Sequence, residues 1–233
     1  PGIAVKKEGR IILLDCGEGT QIQMIKARLS LVKVSHILVT HLHGDHIFGL
    51  PGLLQTCRLL NRRQELMIFG PPGIAQFIAG IEKITKAGRY YRITVTELKG
   101  GETIEHPQYR IYCARVSHSI HSLAYAVEEK PRPGRFRRED AIRLGIPQGP
   151  LWKQLQLGYP VTLPSGRVIQ PSEVVGPPVK GVKIVYSGDT APCPAMVQIA
   201  SQADLLIHES TFGENMDGKA VETQHSTAAQ AAE

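Results

Sequence analysis

Aromatic side chains are sparse in this chain, 6% of 233 residues with a single tryptophan, so a long stacking track for single-stranded nucleic acid is not expected. Cysteine is scarce as well. Cys16, Cys57, Cys113 and Cys193 lie far apart and none forms a CxxC pair, which excludes a thiolate zinc knuckle. A chain this long needs no disulfide framework, so reduced thiols in a cytoplasmic protein are the expectation. No run approaches the roughly 18 apolar residues of a membrane span, and no basic-then-apolar leader precedes a small-residue cleavage site. The chain opens on Pro1-Gly2 without a Met and closes on a helix-prone Thr-Ala-Ala-Gln-Ala-Ala-Glu with no cap or stop signal. A fragment whose last helix starts at Ser226 or Thr227 and is cut in its first turns is expected.

What is present is ordinary for a globular protein: 42% apolar and 21% charged residues, which excludes wholesale disorder. Lys and Arg number 27 against 21 Asp and Glu, a net charge of +6. Spread evenly, that excess means little; gathered in one place, it points to a polyanion.

Short apolar runs alternate with helical periodicity. Strands are expected at 3–5, 11–14, 36–40, 66–69, 91–96, 109–116, 124–128, 182–186 and 203–207. Helices are expected at 20–29, after a break at Pro51-Gly52 up to Leu60, from Gly73 to Thr85, and at 195–201. Strands interleaved with helices argue for α/β layers, with chemistry in the polar loops at strand ends. Between Lys130 and Lys180 the texture changes, because nine of the sixteen prolines fall in 131–178. Phe136, Ile142, Trp152, Leu155, Val161 and Ile169 are too apolar for a linker. A long surface loop and a small protruding insertion both remain open, and the rarity of long structureless loops favours the insertion.

The strongest signal is His41-Leu42-His43-Gly44-Asp45-His46, an HxHxDH run directly after a strand. Side chains at i and i+2 of an extended segment leave on one face, so His41 and His43 suit one metal. Asp45 and His46 lie past a glycine that permits a sharp bend towards a second metal. Imidazole and carboxylate without thiolate favour zinc, with manganese and iron as alternatives. Further ligands are expected from distant strand ends, and His118 and Asp189 each follow a strand. His36, His106, His121 and His208 are expected to be structural.

With these motifs on the page, the sequence resembles the metallo-β-lactamase superfamily and, within it, the ribonuclease Z family. The resemblance is carried in order by Asp15-Cys-Gly-Glu-Gly-Thr-Gln21, by THLHGDHIFGLPGLLQT at 40–56, SGDT at 187–190, HEST at 208–211 and HST at 225–227. It implies a four-layer αβ/βα sandwich in which residues 1–129 and 173–233 form the metallo-β-lactamase domain and 130–172 a flexible arm. His41, His43 and His118 would hold one zinc, Asp45 and His46 a second, and Asp189 would bridge them. His118 is preferred to His121 because it stands seven residues before Tyr125, as the family ligand stands before its aromatic. The family's last zinc ligand would lie beyond Glu233, and its first strand before Pro1.

The resemblance also implies a zinc-dependent endoribonuclease that removes the 3′ trailer of precursor tRNA, leaving a tRNA 3′-hydroxyl and a 5′-phosphorylated trailer. Asp45 would accept the proton of the attacking water, and His225, oriented by Glu209, would protonate the leaving oxygen. Residues 130–138 carry five basic side chains, Lys130, Arg132, Arg135, Arg137 and Arg138, and no acidic one. The resemblance makes this the arm that docks on tRNA phosphates. The implied partners are precursor tRNA and a second copy of the chain, with neither DNA nor a membrane. Two rivals stand beside this reading. One is a small-molecule hydrolase of the same fold, of phosphodiesterase, thioesterase or arylsulfatase type; the other is an RNA-binding subunit without activity.

Overall fold

The computed structural model describes residues 1–85 and 91–233. They divide into two compact units: Pro1–His106 with Arg110–Val127 and Lys183–Glu233, and Pro107–Tyr109 with Glu128–Val182.

The first unit holds two five-stranded sheets. One has the order β1 (Ile3–Lys7), β2 (Arg10–Leu14), β3 (Val34–Leu38), β4 (Leu66–Gly70), β5 (Ile93–Glu97). Its first pair is an antiparallel hairpin, and β2 to β5 run parallel. The other sheet has the order β12 (Leu205–Ile207), β11 (Lys183–Tyr186), β8 (Ser122–Glu129), β7 (Tyr109–Val116), β6 (Thr103–Glu105). The β6 strand has no counterpart among the sequence expectations.

Side-chain alternation explains the layering. In β2, Ile11 and Leu13 join a cluster with Leu50, Leu53, Leu54, Ile74 and Ile78 from helices Leu50–Leu59 and Ile74–Thr85. The intervening Ile12 and Leu14 are buried outside that cluster, on the face turned to the other sheet. In β8 the small Ala124 and Ala126 take the helix side, against Met196 and Ile199 of helix Pro194–Ala200. The large Leu123 and Tyr125 take the opposite face, and the Tyr125 hydroxyl donates to the Val39 carbonyl across the sandwich at 2.8 Å. Strands covered on both faces read as continuous apolar runs, as RIILL does.

Local chemistry explains several departures from the sequence expectations. Pro51-Gly52 does not interrupt its helix, because Pro51 lies in the first turn, where its missing N–H has no partner to lose. The helix from Thr20 stops at Lys26 rather than Leu29, with Arg28 in the left-handed region. The 41–45 segment is not all loop, since Gly44–Ile47 forms a helical turn. The closing helix, Ala228–Ala232, does carry a cap: Thr227 accepts from Gln230 N, and the Gln230 side chain accepts from Thr227 N.

The second unit folds around Ala141, Ile146, Leu155, Val161, Ile169 and Val174. Its prolines start helices rather than break them, at Pro150–Gln156 and Pro171–Val174. Two short antiparallel strands, β9 (Val161–Thr162) and β10 (Val168–Ile169), pair across the turn 163–167. Bridges at Arg132–Val179 and Phe136–Val175 tie the basic segment to the returning chain.

Candidate metal centre

The β2, β3, β7, β11 and β12 strands end just before Asp15, Thr40-His41, His118, Asp189 and Glu209 respectively. Polar groups from five strand ends therefore collect at one rim, where an α/β sheet usually binds its ligand.

His41 Nε2 lies 3.0 Å from His43 Nδ1, which in turn lies 3.3 Å from His118 Nε2. Beside them, Asp189 Oδ2 is 3.7 Å from His41 Nε2 and 3.4 Å from His46 Nε2. Asp45 Oδ2 reaches His46 Nε2 at 3.4 Å but its side chain is 70% exposed, so it stands at the margin of the cluster. The turn Gly44–Ile47 brings His46 back towards the sheet, with its N–H bonded to the His43 carbonyl.

The hydrogen bonds behind the rings fix their tautomers. Thr40 Oγ1 lies 2.9 and 3.1 Å from the two carboxylate oxygens of Asp15, so its one hydrogen goes there. Its lone pair must then accept His41 Nδ1–H at 3.0 Å, which leaves a bare lone pair on His41 Nε2. His118 Nδ1 faces the Gln224 carbonyl at 3.0 Å and must donate, so its Nε2 is bare as well. His46 Nδ1 donates to Asp15 Oδ2 at 2.7 Å. Both bare nitrogens face His43 Nδ1, which has at most one hydrogen to offer them, so a cation among the three rings satisfies what the protein alone leaves short. The donor set of imidazoles and one carboxylate, Asp189, fits a divalent metal of the zinc class.

Electrostatics follow the packing. Burial, helped by the neighbouring His46, pushes His41 down to about 3. Burial acts the same way on His46 but is overruled by the hydrogen bonds to Asp15 and Asp189, which lift it to about 9. Burial would raise Asp189, yet its hydrogen bond to His46 brings it down to about 2.

On the other side of Asp189, His225 Nδ1 lies 2.8 Å from Glu209 Oε1 and 4.0 Å from Asp189 Oδ2. Glu209 is locked by Thr190 N at 3.0 Å, Thr211 N at 3.0 Å and the Thr211 hydroxyl at 2.7 Å. His118, Asp189 and His225 also offer ligand atoms within 4.8 Å of one another. Thus His41, His43, His46, His118, Asp189, Glu209 and His225 converge.

Within 130–138, Arg132, Arg135, Arg137 and Arg138 are all exposed, and the Arg138 guanidinium lies over the Trp152 ring at 5.8 Å. Arg137 is engaged: it pairs with Asp140 at 2.6 Å and donates to the Ser172 and Glu173 carbonyls. Lys130 is half-buried. Of the other histidines, His36 is buried against Phe69 and His106, and His208 Nδ1 donates to the Glu209 carbonyl, whereas His121 Nε2 is buried with no hydrogen-bond partner among the described residues.

Asp15 opens one of the motifs, but its role behind the histidines is not among the sequence expectations. It is fully buried and accepts from Thr40 N at 2.7 Å and from the Tyr186 hydroxyl at 3.0 Å, besides Thr40 Oγ1 and His46. A carboxylate closing an apolar strand, Arg10-Ile-Ile-Leu-Leu-Asp15, was the available signal. The glycines of that motif have a packing role. A Cβ at Gly17 would overlap the Asp45 carbonyl, and one at Gly49 the Gly17 carbonyl, so the 15–19 loop lies directly on the metal loop.

Comparison with known proteins gives a consistent picture. The metallo-β-lactamase superfamily pattern matches residues 3–65. A ribonuclease Z from Methanothermobacter thermautotrophicus is 48% identical over 231 residues, covering 99% of this chain and 75% of its own length. One from Methanosarcina acetivorans is 44% identical, with 99% and 75% covered. The crystal structure of the short form of human tRNase Z superposes with a TM-score of 0.73 at 28% identity, covering 100% of this chain and 79% of that one. A diphosphatase of the PhnP family, TM-score 0.59 at 16% identity over 99% of this chain and 66% of that one, shares the fold.

Proposed function

The chain belongs to the ribonuclease Z family, with the metallo-β-lactamase fold, and on that footing we propose how its own residues carry out tRNA 3′-end processing. It is an endoribonuclease that acts on precursor tRNA, a hydrolase with a metal-dependent centre. In this reading His41, His43 and His118 would hold one zinc, His46 and Asp45 would hold another, and Asp189 would serve both. The observation that supports the assignment is the convergence of His41, His43, His46 and His118 on the Asp189 carboxylate, with Nδ1 of His41 and His118 committed to Thr40 and Gln224 so that their Nε2 lone pairs face inwards. When bound, such metals supply charge neutralisation at the scissile phosphate and a water nucleophile at neutral pH.

The protein's own groups do the rest. Asp45, exposed at the margin, is placed to take the proton of the attacking water. His225 keeps Nδ1 committed to Glu209, which leaves Nε2 to hand a proton to the departing 3′ oxygen of the tRNA. Glu209 cannot swing away, because three donors hold it. The products are then a tRNA 3′-hydroxyl and a 5′-phosphorylated trailer.

Lys130, Arg132, Arg135 and Arg138 serve tRNA phosphates in this proposal, and Arg137 keeps the segment folded. The exposed Ile22, Ile25, Leu59 and Leu60 are suited to a homodimer face. All four cysteines are free thiols, which fits a reducing cytoplasm. No helix among the described residues is long and apolar enough to cross a membrane.

The test is incubation with a 3′-extended precursor tRNA, with and without chelator, followed by mapping of both new ends. A single cut after the discriminator base, abolished by chelator and restored by zinc, is expected. Cleavage of small esters with no cleavage of precursor tRNA would favour the small-molecule hydrolase instead.

A further inference from the structure

Among the described residues, the exposed large apolar side chains include only two aromatic ones, Phe48 and Tyr159. Phe48 alone belongs to the unit that carries the metal cluster. It is 63% exposed and stands two residues after His46, closing the turn Gly44–Ile47 with its N–H on the Gly44 carbonyl. Its ring is not free to wander. Its Cε2, Cδ2 and Cζ atoms lie so close to Gly44 that any Cβ there would collide with them. The ring is thus packed on the backbone between His43 and Asp45, with most of its surface open.

We propose that Phe48 is the stacking platform for the unpaired nucleobase beside the scissile phosphate. The proposal rests on the tRNA-processing reading above. A phosphodiester held at the metal cluster puts its flanking bases within one nucleotide of that loop. A base taken out of its helical stack needs a new face to lie on, and an exposed phenyl ring provides one without demanding a sequence. A ring fixed by close packing loses little freedom when the base arrives. The sparse aromatic content of the chain fits this economy: one ring at the cut rather than a track along the strand.

The experiment is a cycle between the protein and the RNA. Precursor tRNAs are made with an abasic nucleotide on the 5′ or the 3′ side of the cut, and cleaved by the wild type, Phe48→Ala and Phe48→Trp. Phe48→Ala is expected to lower kcat/KM on intact precursor by about five- to hundredfold. Phe48→Trp, which keeps a π-face, retains most of the rate. At one flanking position the abasic substitution should cost the wild type a comparable factor and cost Phe48→Ala almost nothing more. Metal content should be unchanged in both variants, since the ring contributes no ligand. Losses that multiply independently at both positions would overturn the proposal, as would a full rate for Phe48→Ala. A change of oligomeric mass in Phe48→Ala would overturn it too, by placing the ring under a second copy of the chain. If the wild type itself fails to cut intact precursor, it is the tRNA-processing reading that fails, not this one.

Discussion

Replacing Asp15 by Asn changes one atom and sets two hydrogen-bond requirements against each other. The side chain stays isosteric, and Asn tolerates the left-handed backbone at φ 57° as readily as Asp. As a carboxylate, Asp15 accepts on Oδ1 from Thr40 N and on Oδ2 from His46 Nδ1 and the Tyr186 hydroxyl. As an amide it must turn its NH₂ towards one of those sets, so a buried donor faces a donor whichever way it lies. That conflict costs about 1–3 kcal/mol. The site can relieve it only by leaving His46 Nδ1 as an acceptor, so that the proton on Nε2, which faces Asp45 and Asp189, can no longer be given up to a metal. Losing such support behind a ligand typically weakens metal binding by about 10–100-fold, or roughly 1.4–2.7 kcal/mol. Competition with a chromophoric chelator measures this directly. Of the two zinc equivalents proposed, one should weaken, while the proposed His41, His43 and His118 set keeps more of its affinity. Tyr186→Phe, which removes one donor and leaves the charge, should cost stability of about 1 kcal/mol and little metal. If Asp15→Asn binds both equivalents as tightly as wild type and only melts earlier, the argument that Asp15 sets the His46 tautomer is wrong.

Four further outcomes are expected. His225→Gln and Glu209→Gln should each lower single-turnover cleavage of precursor tRNA by about 10²–10⁴-fold with substrate affinity kept; a loss of zinc in proportion to activity would make them ligands instead. Neutralising Arg132 and Arg135 together should reduce the slope of log affinity for precursor tRNA against log salt by about 1.4–1.8. Arg137→Gln should instead lower the unfolding midpoint, because its charge is spent on Asp140 and two carbonyls. His36, 2% exposed, is held down to about 4 by burial first, then by His106 and Arg10. Between that value and the unfolded value near 6.5 the unfolded chain binds the extra proton, so stability falls as pH drops through this window, by about 3 kcal/mol in all. In His36→Leu, urea midpoints measured from pH 6.5 to pH 4 should lose that slope; an unaltered slope would mean another group is responsible.

The metal loop was legible because its information is local. His41, His43, Asp45 and His46 sit within six residues after an apolar strand, and an extended segment followed by glycine constrains where they point. The same is true of β2, whose five residues state both that it is a strand and that both faces are covered. The Asp15 role was not legible, since its partner Tyr186 lies 171 residues away and only the closing of one sheet on the other brings them together. Nor was the difference between Arg137 and its neighbours. Five cations in a row look alike until the chain returns with Asp140, Ser172 and Glu173. Pro51 misled for the opposite reason, because proline breaks a helix everywhere except in its first turn.

By itself, then, the sequence determined the class of chemistry and the layering of the fold, since both are written in residue types at short spacing: imidazoles and a carboxylate after a strand, and apolar runs with period two or 3.6. The tertiary structure decided which nitrogen of His41 and His118 faces inwards, which cation is spent on partners within the fold, and that Thr190 and Thr211 hold Glu209 against His225. These are relations between groups brought together from different strand ends, and hydrogen-bond direction, unlike hydrophobic burial, is set only when both partners are in place.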